Sequence, residues 1–293
     1  MHEIKRSGLN YPPIALLVLL GLFTGVFSSC SNPFVPLDRQ IAKPASAAED
    51  APPALVRIAT CWAALPVAED LVAAYINDEA ALSVDLIPSS PRIAEDLLTA
   101  GQADLAIVGR LPGDLSPTEG GNAVLIGLGA IGIITHKDSP LRQISATELA
   151  EVFTGRRLDW GELRAGNGPV EIVCQENGSI ARRVFDAAIL GQRPASSAAI
   201  LMPHDRGVVE YVAQHSRAIG YVAAAYIDSR VKQVAIDGTL PLPAEIKSGR
   251  YPLTYSLVIL TRSDAPREAQ KIVAFAESNA GRHAIEKRHI PPR

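Results

Sequence analysis

Strand-like and helix-like segments alternate along the first part of the chain, and this alternation limits the fold more than any other feature. Residues 56–60 alternate apolar and polar side chains as a strand does, and residues 67–80 place apolar side chains on one helical face. A second strand is predicted over 82–87, a helix begins after Ser90, and a third strand covers 104–108. The order β-α-β-α-β favours a parallel sheet with helices on both faces, so we predict an α/β fold.

The alternation continues after a long apolar stretch over residues 124–135, which reads as a buried strand or a strand pair. Ser145 and Glu148 then match the capping box of a helix start. The later predicted elements are a strand over 170–174, a helix from Ser179, a helix over 207–215, strands over 219–223 and 251–261, and a last helix from 264. Turn-rich residues 113–122 and 237–250 are expected to join two lobes.

The N-terminus has the pattern of an export signal. Two basic residues near the start precede an apolar run over 14–27, which is too short to cross a bilayer comfortably. Small residues then precede Cys30, as in bacterial lipoproteins. We therefore predict a signal peptide over 1–29, lipid attachment at Cys30 and a Pro-, Ala- and Ser-rich tether over 30–54. A lipid anchor would hold the protein on the periplasmic side of the bacterial cell envelope; cleavage with a free Cys30 and an uncleaved anchor helix are the alternatives.

Composition argues against several classes of function. A net charge of −3 with only 5% aromatic residues gives no basic or base-stacking surface, so no nucleic-acid partner is predicted. The cysteines and histidines show no metal-ligand spacing, and no metal or cofactor is predicted. Cys61 and Cys174 are expected as free thiols. Because no histidine stands in a recognisable relation to Cys61, we do not predict an enzyme.

Small or hydrogen-bonding side chains follow four strands at points where a helix is about to begin. The residues predicted to contact a ligand at these junctions are Thr60, Cys61, Trp62, Ser89, Ser90, Arg110, Gln175, Asn177, Gly178, Ser179 and Arg182. Helix N-termini carry free N–H groups and a partial positive charge, and in open α/β sheets the ligand crevice lies beyond the carboxyl ends of the strands. Each junction alone is explained by ordinary cap and turn usage, but together they indicate a site for a small anion.

Several segments, in the same order, resemble the phosphate-binding proteins of ABC transporters. The similar segments are 103–110, 144–160, 176–179 with Phe185, 218–222 and 251–253. The resemblance implies a two-lobed periplasmic-binding-protein fold of type II, with the ligand cleft between the lobes. It implies lobe 1 over 55–136 and 250–293, and lobe 2 over 137–249. A monomer that binds a small inorganic oxyanion, phosphate first, and serves an ABC permease is the function implied.

The sequence also departs from that family at the expected anion loop. Ser179 is followed by Ile180 and Ala181, where the family has glycine and threonine, and Gln175 stands where many members have arginine. Arg110 replaces the aspartate that one branch places beside the phosphate proton. The alternative function is therefore an envelope scaffold or signalling partner that binds no small anion, with Trp62 filling the former pocket.

Overall fold

The structure is a computed structural model that describes residues 54–78 and 82–292. The predicted signal peptide, Cys30 and the tether up to residue 53 lie outside the described residues. Ala54, predicted as the end of the tether, is the first residue of a strand. Within the described ranges, no helix has the length and apolar character needed to cross a membrane.

Ten strands and eight α-helices make up the described chain. The strands are β1 (Ala54–Cys61), β2 (Leu82–Ser89), β3 (Leu105–Arg110), β4 (Gly121–His136), β5 (Gln143–Ile144), β6 (Glu171–Gln175), β7 (Ile200–Met202), β8 (Ala218–Ala223), β9 (Val231–Ile236) and β10 (Thr254–Arg262). The helices are α1 (Leu65–Asp78), α2 (Pro91–Thr99), α3 (Ala146–Phe153), α4 (Ile180–Phe185), α5 (Asp205–Gln214), α6 (Pro243–Lys247), α7 (Arg267–Glu277) and α8 (Asn279–Glu286).

The strands are joined in the order β2-β1-β3-β10-β4-β8-β6-β7, with β9 beside β4 and β5. The strands β2, β1 and β3 are parallel, whereas β10 runs antiparallel to both β3 and β4. The predicted β-α-β-α-β start is present, with α1 and α2 as its crossovers. The mixed sheet with flanking helices confirms the predicted α/β class.

The strand β4 is shared by two lobes. Residues 121–130 of this 16-residue strand pair with β10, and residues 131–135 pair with β8. We call β1–β3, β10 and residues 121–130 of β4, with α1, α2, α7 and α8, the first lobe. The second lobe comprises the rest of β4 and the elements between β4 and β10. The residue limits predicted for the lobes stay predictions.

One predicted lobe connection is wrong. Residues 113–122 join β3 to β4, and both strands pair with β10 in the first lobe. The chain passes between the lobes along β4 and returns through the segment from β9 to β10, which contains the other predicted connection, 237–250. The helix predicted as the last one is α7, and it is followed by α8, which Ser278 caps.

Side-chain caps fix where three of the helices begin. Ser90 is the N-cap of α2 with Pro91 in the first turn, as predicted from the sequence. Ser145 and Glu148 form the predicted capping box at α3, and Ser179 caps α4. Because each cap begins its helix shortly after a strand has ended, the helix starts lie near the ends of the strands.

Candidate functional site

Three helix starts from the two lobes meet at one narrow space, which we call the inner gap. Its lining comes from the ends of β1, β2 and β6 and from the starts of α2, α4 and α5. The lining residues are Cys61, Trp62, Ala63, Ser89, Ser90, Pro91, Gln175, Glu176, Ser179, Ile180 and Asp205. The gap has a volume of about 10 Å³, close to the smallest space that holds one water molecule. The lobes are therefore nearly closed on each other.

The two serine caps place hydroxyl groups at the inner gap. The Ser90 hydroxyl oxygen accepts a hydrogen bond from the Ile93 N–H at 3.4 Å, and the Ser179 hydroxyl oxygen accepts one from the Arg182 N–H at 3.0 Å. In both cases the cap uses the oxygen, so each hydroxyl hydrogen remains available to a ligand. One hydroxyl donor from each lobe thus lies beside the helix-start N–H groups.

Cys61 lies at the end of β1 and is fully buried. Its sulfur accepts a hydrogen bond from the Gly109 N–H at 3.2 Å. Burial raises the pKa of the Cys61 thiol to about 11, so the thiol is protonated at neutral pH. A protonated, buried thiol is a poor nucleophile, which opposes a catalytic role. The neighbouring Thr60 is buried and donates to the Cys61 carbonyl rather than lining the gap.

A buried carboxyl group and a buried amide line the second-lobe side of the inner gap. The Gln175 Nε2 donates to Asp205 Oδ1 at 2.9 Å, and the Ala223 N–H donates to the same oxygen at 2.7 Å. Burial raises the pKa of Asp205. The Gln175 Oε1 is buried and has no hydrogen-bond partner among the described residues. The lining therefore offers hydrogen-bond acceptors as well as donors.

Direct contacts between the lobes hold the inner gap closed. The Tyr226 hydroxyl donates to the Trp62 carbonyl at 2.6 Å, and the rings of Trp62 and His204 lie 4.8 Å apart between centroids. Ile180 packs against Gly109 so closely that a Cβ at Gly109 would lie 3.0 Å from both Ile180 Cγ atoms. These contacts come from loops and helix starts far apart in the sequence.

The predicted arginines do not line the inner gap. Arg110 is ion-paired with Glu95 at 3.1 Å and with Asp114 at 3.4 Å. Arg182 is ion-paired with Asp186 at 2.7 Å and donates to the Gln175 carbonyl at 3.4 Å. Carboxylates of the same lobe therefore neutralise both guanidinium groups.

Some of the residues that line the inner gap were predicted from the sequence, and others were missed. The predicted residues that line the inner gap are Cys61, Trp62, Ser89, Ser90, Gln175 and Ser179. Asn177 is exposed in a turn, and a Cβ at Gly178 would lie 3.8 Å from the Ser90 Cβ, outside the gap but against the other lobe. Asp205 was not predicted, because a charged residue at a helix start ordinarily faces water. The short strand β7, which ends at Met202 before Asp205, was not predicted either.

The comparisons with known proteins agree with this architecture. Residues 45–278 match the family model described as "PBP superfamily domain". The phosphate-binding protein PstS of Bacillus subtilis is 28% identical over 145 residues, which is 49% of this chain and 48% of that protein. The chain thus matches about half the length of this curated relative.

Two solved structures share the fold over most of the chain. One from Clostridium perfringens, described as a phosphate ABC transporter substrate-binding protein with bound phosphate, has a TM-score of 0.76 at 21% identity and covers 82% of this chain and 99% of its own. A phosphate transport receptor from Vibrio cholerae has a TM-score of 0.65 at 18% identity, covering 81% of this chain and 100% of its own. At these identities the likeness shows the fold. With the family match spanning both lobes, the predicted resemblance is confirmed, and the chain belongs to the PBP superfamily.

Proposed function

We propose that this protein is an extracytoplasmic solute-binding protein that binds a small oxyanion between its lobes and delivers it to an ABC permease or a sensor. Phosphate is the oxyanion that we expect. The observation that supports this most is the meeting of helix starts from both lobes, with the Ser90 and Ser179 hydroxyls on opposite sides. Main-chain N–H groups and hydroxyls oriented in this way suit an anion without requiring an arginine. The relatives named for phosphate binding support the same ligand.

Binding requires the lobes to part, because a phosphate ion needs more room than the inner gap offers. The separation would break the Tyr226–Trp62 hydrogen bond and the Ile180–Gly109 contact, and new bonds to the anion would replace them. Such hinge motion around a ligand is the usual behaviour of two-lobed receptors. No catalytic step is part of this proposal. The lipid anchor at Cys30 and the monomeric state belong to the proposal as well.

A second candidate function follows from the narrowness of the inner gap. If the contacts of Ile180 and Trp62 persist in solution, the protein would bind no small anion and would act as an envelope scaffold or signalling partner. The volume of about 10 Å³ is the observation that favours this candidate.

Isothermal titration of the purified protein with phosphate and sulfate, followed by small-angle scattering, decides between the two. The receptor function predicts saturable phosphate binding and a change in the distance between lobes. The variants Ser90→Ala and Ser179→Ala test the two hydroxyls at the inner gap. The matched control is Ser263→Ala, since Ser263 is an exposed serine away from the gap. Absence of binding for every anion, with an unchanged scattering curve, would support the scaffold.

A further inference from the structure

A second, wider pocket opens beside the inner gap, and we call it the outer pocket. It has a volume of about 320 Å³, and both lobes contribute to it. Its main lining residues are Arg92, Glu95, Arg110, Asp114, Gly178 and Arg183. The inner gap and the outer pocket share Pro91, so they lie side by side at the start of α2. The outer pocket is therefore part of the same cleft but offers far more room.

The outer pocket is lined by three arginines and two carboxylates, so the basic side chains exceed the acidic ones by one. Arg110 is 8% exposed, its two Nη atoms pair with the carboxylates of Glu95 and Asp114, and its buried Nε has no partner within the part of the chain that the structure describes. Arg92 pairs with Asp96 on the surface of α2. The side chain of Arg183, from the second lobe, has no ion-paired carboxylate among the described residues. Burial raises the pKa of Glu95, and the positive charges of Arg110 and Arg183 oppose that rise, which indicates that both arginines lie near its carboxyl group.

This arrangement suits a ligand that carries both an anionic group and hydrogen-bond donors. Arg183 has no carboxylate ion pair among the described residues, and a guanidinium binds phosphate and carboxylate groups with two parallel hydrogen bonds. The carboxylates of Glu95 and Asp114 would repel a bare dianion but accept hydrogen bonds from hydroxyl or ammonium groups. A volume of about 320 Å³ lies in the range of small-molecule sites, and a five-atom tetrahedral ion fills little of it.

We propose that the outer pocket binds a phosphate monoester of a small polyol or amino alcohol. The phosphate group contacts Arg183 beside Gly178, and the hydroxyl or ammonium groups contact Glu95 and Asp114. This inference rests on the proposed function, since it places the same class of anion in the same cleft. The ligand in this pocket is a phosphorylated organic molecule and not an inorganic ion. Charged side chains from both lobes recognise it.

The test is a calorimetric titration of the purified protein with three probes: glycerol 3-phosphate, methyl phosphate and inorganic phosphate. We expect glycerol 3-phosphate to bind at least about tenfold more tightly than the other two, because only its hydroxyls reach the carboxylates. Arg183→Ala should weaken glycerol 3-phosphate binding by about 10- to 100-fold, the usual loss of a charge-assisted pair. Arg217→Ala is the matched control, because Arg217 is an exposed arginine of the second lobe outside the pocket, and it should leave the affinity unchanged.

The outcomes separate this inference from the proposed function. Inorganic phosphate bound as tightly as glycerol 3-phosphate, or an Arg183→Ala variant with full affinity, overturns the inference and leaves the phosphate receptor standing. Binding of glycerol 3-phosphate without binding of inorganic phosphate supports the inference and excludes inorganic phosphate as the ligand. Binding of none of the probes overturns both. Equal thermal unfolding midpoints of the two arginine variants show that a lost affinity does not come from misfolding.

Discussion

Ile180 is the one branched aliphatic residue among the described residues that line the inner gap. It follows the Ser179 cap, at the position where the family resemblance noted from the sequence implies glycine, and it is 1% exposed. Its two Cγ atoms pack against the backbone of Gly109 in the opposite lobe. A branched side chain at this position occupies volume that a glycine would leave to a ligand. The same contact therefore stabilises the closed lobes and competes with the anion.

Replacing Ile180 by alanine should separate these two effects. The truncation removes buried carbon atoms, so we expect the free energy of unfolding to fall by about 2–4 kcal/mol. Because the inner gap becomes wider, we expect the affinity for phosphate to rise rather than fall. Chemical denaturation measures the first quantity and calorimetric titration the second.

Ile189→Ala is the matched control for that prediction. Ile189 is also buried, but it lies in the helical turn after α4 and does not line the inner gap. It should lower stability by a comparable amount and leave phosphate affinity unchanged. If Ile180→Ala weakens phosphate binding while Ile189→Ala does not, Ile180 helps to form the site and does not obstruct it.

At the scale of single elements, the sequence predicted most where the determining residues are neighbours. The caps by Ser90, Ser145 and Ser179 were predicted because a cap and its partner lie within one helical turn. The strand β9 was missed, since Lys232 and Gln233 interrupt its apolar residues and it forms through pairing with β4 and β5. The start of α5 was also missed, because a His204 side chain serves as its cap in place of a usual capping residue.

The capping box of α3 gives a test of the local energetics. The Ser145 hydroxyl oxygen accepts from the Glu148 N–H at 3.1 Å, and Glu148 Oε2 accepts from the Ser145 N–H at 3.1 Å. Ser145→Ala should lower the free energy of unfolding by about 1 kcal/mol, measured by urea denaturation. The exposed Ser263 caps no helix, and Ser263→Ala should change stability by less than about 0.5 kcal/mol. Equal effects of the two substitutions would show that the cap contributes nothing.

At the scale of the whole molecule, the order of segments predicted the two-lobed fold, but not the width of the space between the lobes. That width depends on pairs such as Tyr226 with Trp62, which are separated by 164 positions along the chain. It also depends on the absence of a side chain at Gly109, opposite Ile180. Local patterns predict helices, strands and caps, whereas a cavity is what remains after side chains from both lobes have packed.

The C-terminal segment contributes a buried titratable group behind the cleft. His289 is 5% exposed, and its Nε2 lies 2.8 Å from the hydroxyl of Tyr255, while its Nδ1 has no partner among the described residues. The Tyr255 hydroxyl also donates to the Ala63 carbonyl, which belongs to the lining of the inner gap. Charging His289 would place an uncompensated cation next to the wall of the site.

Acid should therefore destabilise the protein through His289. Burial first, and the charge of Arg288 second, lower the pKa of His289 to about 4, from 6.5 in an unfolded chain, against a smaller opposing effect of Asp70. Between these values the unfolded state binds a proton that the folded state excludes, so stability falls as the pH falls from about 7 to 4. The shift corresponds to about 3 kcal/mol, and below pH 4 the loss levels off because both states are protonated.

Urea denaturation of His289→Gln and of the unaltered protein across pH 4–7 measures this contribution. The difference in unfolding free energy between them should change by about 3 kcal/mol over that range, because every other titrating group contributes equally to both. The exposed His283 of α8 is the matched control, and His283→Gln should follow the unaltered protein at every pH. A constant difference across the range would mean that His289 takes up its proton at the same pH in the folded and unfolded states, and that the wall of the cleft tolerates its charge.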